Sequence, residues 1–315
     1  MKYLNSLREG MHISEVYLCK NRQVQLTKGG KEYISLSLQD KTGTVDGKIW
    51  DPASPGIADF DSADYVSVDA DVTIYNNSYQ LNIRRIRKAD EGEYVPADYL
   101  PVSRFDIKEM YDELLKYAGS VKNKDLNALL KAFFEDDGEF IARFKFSSAA
   151  KSVHHGYVGG LVEHTVSVAR MCAYMAKQYD FLSYDLLMTA ALLHDVAKTI
   201  ELTPFPENDY SDDGQLLGHI VMGCEMIDDK LREMPDFNKK LASELKHCIL
   251  AHHGEYEYGS PKKPALAEAL ALHMADNTDA KLEIMREFLE TAGTDKGWLG
   301  MNRLLESNVR KTSIE

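Results

Sequence analysis

The chain has 315 residues, 44% of them hydrophobic and 28% charged, and a formal net charge of −13. That length gives room for two domains with a core each, and the composition is that of a soluble globular protein. No apolar run reaches membrane length, no signal peptide is expected at Met1-Lys2-Tyr3-Leu4, and the acidic balance argues against a broad basic surface gripping duplex nucleic acid by charge alone.

From Met1 to about Tyr94 the pattern is that of strands. Residues Glu32 to Asp40 alternate apolar and polar and reach a turn signal at Lys41-Thr42-Gly43. Thr44 to Trp50 resumes extended structure and completes a hairpin. Tyr65 to Tyr75 alternates again, and Asn76-Asn77-Ser78 turns it into Tyr79 to Ile83. About five strands in so short a stretch suit a small Greek-key barrel. Tyr33 to Gln39, Asp40-Lys41-Thr42-Gly43 and Gly47-Lys48-Ile49-Trp50-Asp51 resemble the nucleic-acid-binding type of OB-fold. Such barrels hold single strands by stacking bases on exposed aromatics beside basic residues. The candidates are Tyr33, Trp50, Tyr75 and Tyr79, with Lys48, Arg84, Arg85 and Arg87. The sequence leaves open whether each aromatic is core or platform, and whether the Arg84 to Lys88 cluster is a solvated strand end.

A polar connector marked by Pro96 and Pro101 follows, and from Phe105 the grammar is helical. Tyr111, Leu114, Leu115 and Ala118 recur at helical spacing, as do Leu126, Leu129, Leu130 and Phe133. The expected organisation is multidomain: an all-β OB-fold barrel over residues 1–95, a linker and helical lead-in over 96–150, an all-α helical domain over 151–290, and a polar tail over 291–315 on which Trp298 and Leu299 could dock.

Within the helical part His194-Asp195 sits in the strongly apolar run Leu186 to Ala197. Polar side chains are rarely buried without a partner, and a divalent metal suits both at once. Further ligand candidates fall on successive expected helices. His164 lies near a helix start after Gly159-Gly160, and His219 opens the helix after Gly218. His252-His253 close a helix that Gly254 stops, and Asp276 lies on the helix beginning near Ala265. His194 and Asp195, placed on one long helix, would stand about 100° apart and reach one centre. Imidazole and carboxylate without thiolate point to a hydrolytic transition-metal centre. The four cysteines, Cys19, Cys172, Cys224 and Cys248, have no CxxC spacing, so a disulfide framework is not expected and a cytoplasmic setting is.

Asp195 could bridge two ions, one with His164, His194 and Asp276, the other with His219 and one or both of His252 and His253. A mononuclear site of His164, His194, Asp195 and Asp276 is the alternative. Lys198, three residues after Asp195, could hold a phosphoryl oxygen beside the metals, with Asp195 the central catalytic residue.

The ordered set His…His-Asp…His…His-His…Asp resembles the HD superfamily of metal-dependent phosphohydrolases over roughly residues 150–285, and the extra histidines resemble its binuclear members. Ala149 to His155, Gly159 to Thr165, Gly214 to Ile220 and His252 to Pro261, behind an OB-like domain, resemble the YhaM-type 3′→5′ exoribonucleases across nearly the whole chain. That resemblance implies hydrolysis favouring Mn²⁺ or Co²⁺, with Fe²⁺ and Ni²⁺ as other candidate metals, and release of nucleoside monophosphates from a single-stranded 3′ end. Single-stranded RNA is the expected partner, with single-stranded DNA and self-association left open. Tyr256 and Tyr258 could stack on the terminal base or pack on helices, and His154 and His155 could contact substrate or serve structure. The rivals are a phosphohydrolase of small or cyclic nucleotides and a non-catalytic DNA-binding accessory factor.

Overall fold

The computed structural model describes residues 2–76, 78–151, 155–291 and 297–313. The chain divides into two compact units, Met1–Val102 with Pro204–Glu207, and Ser103–Thr203 with Asn208–Glu315.

The first unit is a closed five-stranded barrel in the order β1-β2-β3-β5-β4, and β4 returns to pair with β1. Its strands are β1 (His12–Leu26), β2 (Glu32–Asp40), β3 (Gly43–Ile49), β4 (Tyr65–Tyr75) and β5 (Ser78–Lys88). The long β1 does double duty: His12 to Leu18 pairs with β4 and Leu18 to Leu26 with β2, the register shifting between Cys19 and Asn21. A bulge at that corner bends the strand and lets the sheet close without free edges. The period-two alternation puts Leu36, Leu38, Val66, Val68, Val72, Leu81 and Ile83 inside. Gly47 is required on β3 by close packing, because a Cβ there would lie 2.8 Å from Ile83 Cδ1 and 3.2 Å from Leu36 Cγ. The turn signal after β2 works through Asp40, whose buried carboxylate accepts from the Leu4 and Thr42 amides and the Thr42 hydroxyl. The unit continues past residue 95: Asp98 accepts from Lys41 and Tyr3, and the Tyr99 carbonyl from Gln39.

The second unit is helical. It comprises α1 (Ile107–Ser120), α2 (Lys124–Phe134), α3 (Gly138–Phe146), α4 (Gly160–Gln178), α5 (Tyr184–Leu193), the short α6 (Lys198–Glu201) and α7 (Asp212–Leu216), α8 (Gly218–Arg232), α9 (Lys239–Ala251) and α10 (Ala267–Thr291). Side-chain caps start many of them: Asp106, Asn123, Asp137, Ser183, Ser211 and Asn238 each accept a first-turn amide. Helix α5 is apolar all round, with every residue from Leu186 to Leu193 buried, as a central helix must be. It packs against α1, α2, α4, α9 and α10. Helices α1 to α3 share this core, contributing Leu114, Leu130, Phe133, Phe140 and Phe144. The tail is a small hairpin, β6 (Trp298–Asn302) against β7 (Ser307–Arg310). Trp298 does not dock: it is exposed, with the Arg310 guanidinium 6.0 Å from its ring centroid.

One expectation fails in an informative way. His194, Asp195 and Lys198 do not share a continuous helix, because α5 stops at Leu193. The chain tightens into i,i+3 turns, with Lys198 N on Asp195 O and Thr199 N on Val196 O, before α6 begins.

Gly160, the first residue of α4, tests the close packing of this unit. A Cβ there would lie 2.0 Å from the His155 carbonyl oxygen, a backbone atom that cannot rotate away. Gly160→Ala should cost about 2 kcal/mol or more, seen as a lowered urea midpoint of the helical transition. Gly119→Ala, with nothing within 4 Å of its Cβ, should leave stability unchanged or raise it by up to about 1 kcal/mol. Equal midpoints for the two variants would contradict this packing.

Candidate metal centre

Seven side chains converge inside the helical unit. Two of them arrive by the same local device. His194 and His252 each follow the last residue of a helix, α5 and α9, where unpaired carbonyls need donors. His194 Nδ1 donates to Ala191 O at 2.8 Å and His252 Nδ1 to Ile249 O at 2.7 Å. A carbonyl only accepts, so the proton sits on Nδ1 and the Nε2 lone pair points away from the helix end. The other three rings follow the same rule with different partners. His253 Nδ1 donates to Tyr258 O at 2.8 Å, His219 Nδ1 pairs with Glu201 Oε1 at 2.8 Å, and His164 Nδ1 with Asp279 Oδ2 at 2.7 Å. All five rings are thus held through Nδ1, the arrangement that orients metal-binding imidazoles.

The freed nitrogens meet Asp195, which is 2% exposed. Its Oδ2 lies 3.5 Å from His164 Nε2 and 3.3 Å from His194 Nε2, and His164 Nε2 lies 3.2 Å from Asp276 Oδ1. Its Oδ1 faces the other way, 3.5 Å from His219 Nε2 and 3.7 Å from His252 Nε2. Donor atoms of His164, His194 and Asp276 lie within 4.8 Å of one another, and so do those of His219, His252 and His253. The carboxylate therefore stands between two donor groups with one oxygen turned to each.

The residues fit divalent cations on their own evidence. Asp195 Oδ1, His219 Nε2 and His252 Nε2 are buried and make no hydrogen bond among the described residues. Orphaned buried acceptors are costly. His164 Nε2 and His194 Nε2 approach to 3.2 Å, close enough for one cation to take both. The donors are imidazole nitrogen and carboxylate oxygen, the set that suits borderline divalent transition metals.

The electrostatics favour ionised carboxylates at this centre, and against burial Asp276 and Asp279 draw His164 up to about 10, so a cation arriving there displaces a proton. Burial opposes ionisation of Asp195, but Lys198 and His194 outweigh it and hold the carboxyl well below its usual range. Asp276 is likewise depressed against burial by His164. Burial and the neighbouring His253 keep His252 neutral at ordinary pH, and burial and His219 depress His253. Neutral imidazole beside ionised carboxylate is the protonation state that metal binding requires.

A cavity of about 360 Å³ opens on this centre, lined by His164, Asp195, Lys198, His253, Tyr258, Asp276 and others. Lys198 Nζ sits 2.8 Å from Asp195 Oδ2. Tyr258 is exposed at the rim, and Tyr256 is also exposed, with Lys263 Nζ 5.5 Å from its ring centroid.

The remaining candidates separate. His155 is not available to substrate: it is 2% exposed, and its ring pairs with Asp279 Oδ2 and the Tyr157 hydroxyl, both at 3.0 Å. It stands behind His164 and braces the same carboxylate. His154 lies outside the described residues. In the barrel unit none of the four aromatics is core. Tyr33 stacks on Trp50 at 5.1 Å between centroids, with Lys48 Nζ 5.7 Å from the Tyr33 centroid, and Trp50, Tyr75 and Tyr79 are exposed. The basic cluster is largely neutralised. Arg84 pairs with Asp71, Arg87 with Glu93 and Lys88 with Asp64, leaving Arg85 without an ion pair among the described residues.

Two residues escaped the sequence reading. Asp279 takes His164, His155 and the Ser167 hydroxyl on one carboxylate, and Glu201 takes both the ring and the backbone amide of His219. Asp279 carries a signal in retrospect: it follows Asp276 by three on α10, one turn along the same face. Glu201 carries none, since the turns after Leu193 set its direction.

The chain is similar to known proteins over most of its length. The family described as HD domain matches residues 161–281, from the start of α4 into α10. The 3′-5′ exoribonuclease YhaM of Bacillus velezensis is 34% identical over 283 residues, 89% of this chain and 88% of that protein. Its counterpart in a Listeria monocytogenes serotype 4b strain is 33% identical over 293 residues, 92% of this chain and 91% of that one. Among solved structures, the second OB-fold domain of replication protein A from Methanococcus maripaludis matches 29% of this chain and 96% of its own length, at 19% identity and a TM-score of 0.22. With a third of its residues identical to these relatives over nearly the full length of both, the chain belongs to the YhaM family of 3′-5′ exoribonucleases.

Proposed function

We propose that this chain is a metal-dependent 3′→5′ exoribonuclease that removes nucleoside monophosphates from single-stranded RNA, with two divalent ions, Mn²⁺ first among the candidates. The observation that carries the reading is Asp195, whose two buried oxygens address two separate donor groups. The relatives are named for this activity, and the barrel supplies exposed aromatics. A cytoplasmic location fits four cysteines that are all free, and among the described residues no helix is long and apolar enough to cross a membrane.

In this reading His164, His194 and Asp276 hold one ion, His219, His252 and His253 the other, and Asp195 both. Bound there, the ions supply Lewis acidity toward a phosphoryl oxygen and a nucleophilic water at neutral pH. The chain's own groups do the positioning. Asp195 fixes the two groups relative to each other, and the Nδ1 hydrogen bonds keep each ring from rotating. Lys198 lines the cavity with an ammonium that can pass from Asp195 to a phosphoryl oxygen and stabilise charge developing there. The cavity of about 360 Å³ lies near the lower end of small-ligand pockets and has room for one nucleotide. Stacking on Trp50, Tyr33, Tyr75 and Tyr79 would hold the rest of the strand.

Metal content tests the binuclear assignment. His219→Ala should lose about one of two ions per chain by elemental analysis while keeping its helical circular dichroism, and Asp195→Ala should bind neither tightly and degrade no RNA. Full stoichiometry and activity in the His219 variant would favour a mononuclear site. For the barrel, Trp50→Ala should weaken binding of a long single strand by about 1–3 kcal/mol in fluorescence anisotropy, while hydrolysis of a dinucleotide proceeds at the wild-type rate. Incubation of 5′-labelled RNA with Mn²⁺ separates the rivals. A ladder of products supports the exonuclease, binding without cleavage an accessory factor, and no interaction an enzyme of small nucleotides.

A further inference from the structure

The cavity on the metal centre is lined by polar side chains beyond the metal-ligand candidates. One face of α10 lines it with His273, Asp276, Asn277 and Ala280, spaced i, i+3, i+4 and i+7. Asp276 belongs to the donor set. His273 and Asn277 have no part in it, yet both offer hydrogen-bonding groups to the space beside it. His273 Nδ1 lies 2.9 Å from His252 O. That carbonyl can only accept, so Nδ1 donates to it and Nε2 is the ring nitrogen left to face a ligand. Nε2 makes no hydrogen bond among the described residues, and neither does the Asn277 carboxamide. The ring is also fixed in place. Gly254, at φ +79, passes so close that a Cβ there would lie 2.3 Å from His273 Cε1, and His273 is 8% exposed. Ala280 keeps the space beside them open.

We propose that His273 and Asn277 capture the free 3′-hydroxyl of the terminal nucleotide, and so make the site read a chain end rather than an internal linkage. The proposal rests on the exoribonuclease reading above. With the scissile phosphate at the ions, the terminal nucleotide lies on its 3′ side and its ribose extends into the rest of the cavity. A hydroxyl is both donor and acceptor. It donates to the Nε2 lone pair and accepts from the Asn277 NH₂, which satisfies both groups. An internal nucleotide carries a phosphodiester at that position, which brings no proton for Nε2 and adds negative charge beside Asp276. Both residues are specificity-determining; the chemistry stays with the metal ligands and Lys198.

The test uses the full-length protein with Mn²⁺ and 5′-labelled oligoribonucleotides that differ only at the last residue: an ordinary ribose, a 3′-deoxyribose and a 2′-deoxyribose. The expected result is that the 3′-deoxy residue is removed at least about tenfold more slowly, because loss of the hydroxyl leaves the site's polar groups unpaired, whereas the 2′-deoxy residue leaves at close to the ordinary rate. In Asn277→Ala and His273→Gln the ratio of ordinary to 3′-deoxy removal should fall toward one, chiefly through slower removal of the ordinary residue. A readout independent of cleavage is trinucleotide binding in EDTA, where wild type should prefer the 3′-hydroxyl end and Asn277→Ala should not. Equal removal of ordinary and 3′-deoxy ends by the wild type overturns the proposal without any variant, as does a penalty confined to the 2′-deoxy end. Absence of any RNA cleavage by the wild type would instead strike the exoribonuclease reading.

Discussion

The helical unit is organised around a buried carboxylate that has to be kept charged. Asp195 sits in the protein interior with the Lys198 ammonium 2.8 Å from its Oδ2, and an ion there is tolerated only with compensating charge and hydrogen bonds. Lys198 compensates Oδ2 alone. Oδ1 faces two imidazole nitrogens that offer it no proton, because His219 and His252 have committed their Nδ1 protons elsewhere. The unit thus places acceptor against acceptor where a cation resolves the conflict, and the cost of that arrangement is met by the packing around it. Helix α5 is buried from Leu186 to Leu193 and contacts five other helices, so the His194-Asp195 step follows directly on a tightly packed element of the unit.

Helix ends do much of the positioning. A helix C-terminus offers carbonyls without donors, and an imidazole placed just beyond one donates to them and becomes rigid in the same act. His194 and His252 use this device independently on α5 and α9. It places each ligand by backbone geometry rather than by a neighbouring side chain. His219 sits at the other kind of end, in the first turn of α8, where amides lack acceptors. Glu201 takes both its amide and its ring, so the orphan donor and the ligand are settled together. His164, in the first turns of α4, depends on a third layer: Asp279 holds it, and His155 and Ser167 in turn hold Asp279. The close approach of Gly160 to the His155 carbonyl makes that layer dependent on a glycine.

The sequence made the barrel legible because alternation has a period of two, and a slip by one residue would turn the whole apolar face outward. It made the ligand candidates that converge in the helical unit legible because imidazole and carboxylate in apolar helices need a reason to be there. Other features followed from what spacing does not carry. A period-3.6 pattern runs on through Val196 and Ala197, so the end of α5 at Leu193 is invisible to it; the i,i+3 turns that end the helix are a tertiary matter. Glu201 gains its partner only because those turns redirect the chain. The Arg84 to Lys88 run looks like a basic patch in one dimension, yet Asp64, Asp71 and Glu93 arrive from elsewhere in the barrel unit to neutralise most of it.

That neutralisation bears on how an acidic protein can hold a polyanion. With a net charge of −13 and most of that basic cluster paired, affinity cannot come mainly from releasing counterions along a strand. Stacking does not have this limitation, because every base presents a π-face and the energy is nearly independent of charge. Trp50, Tyr33, Tyr75 and Tyr79 are surface aromatics in a unit whose buried aromatics, among the described residues, are Tyr17, Phe60 and Tyr99. Leaving large rings in water is unfavourable for the free protein, and it is offset only when something flat and apolar covers them. A single strand meets that need where a duplex, with its bases already stacked on each other, does not. The same logic separates holding from cutting. In the proposed reading, sequence-tolerant stacking would hold the strand, and negative charge would be received only where cations gather at the buried Asp195 centre.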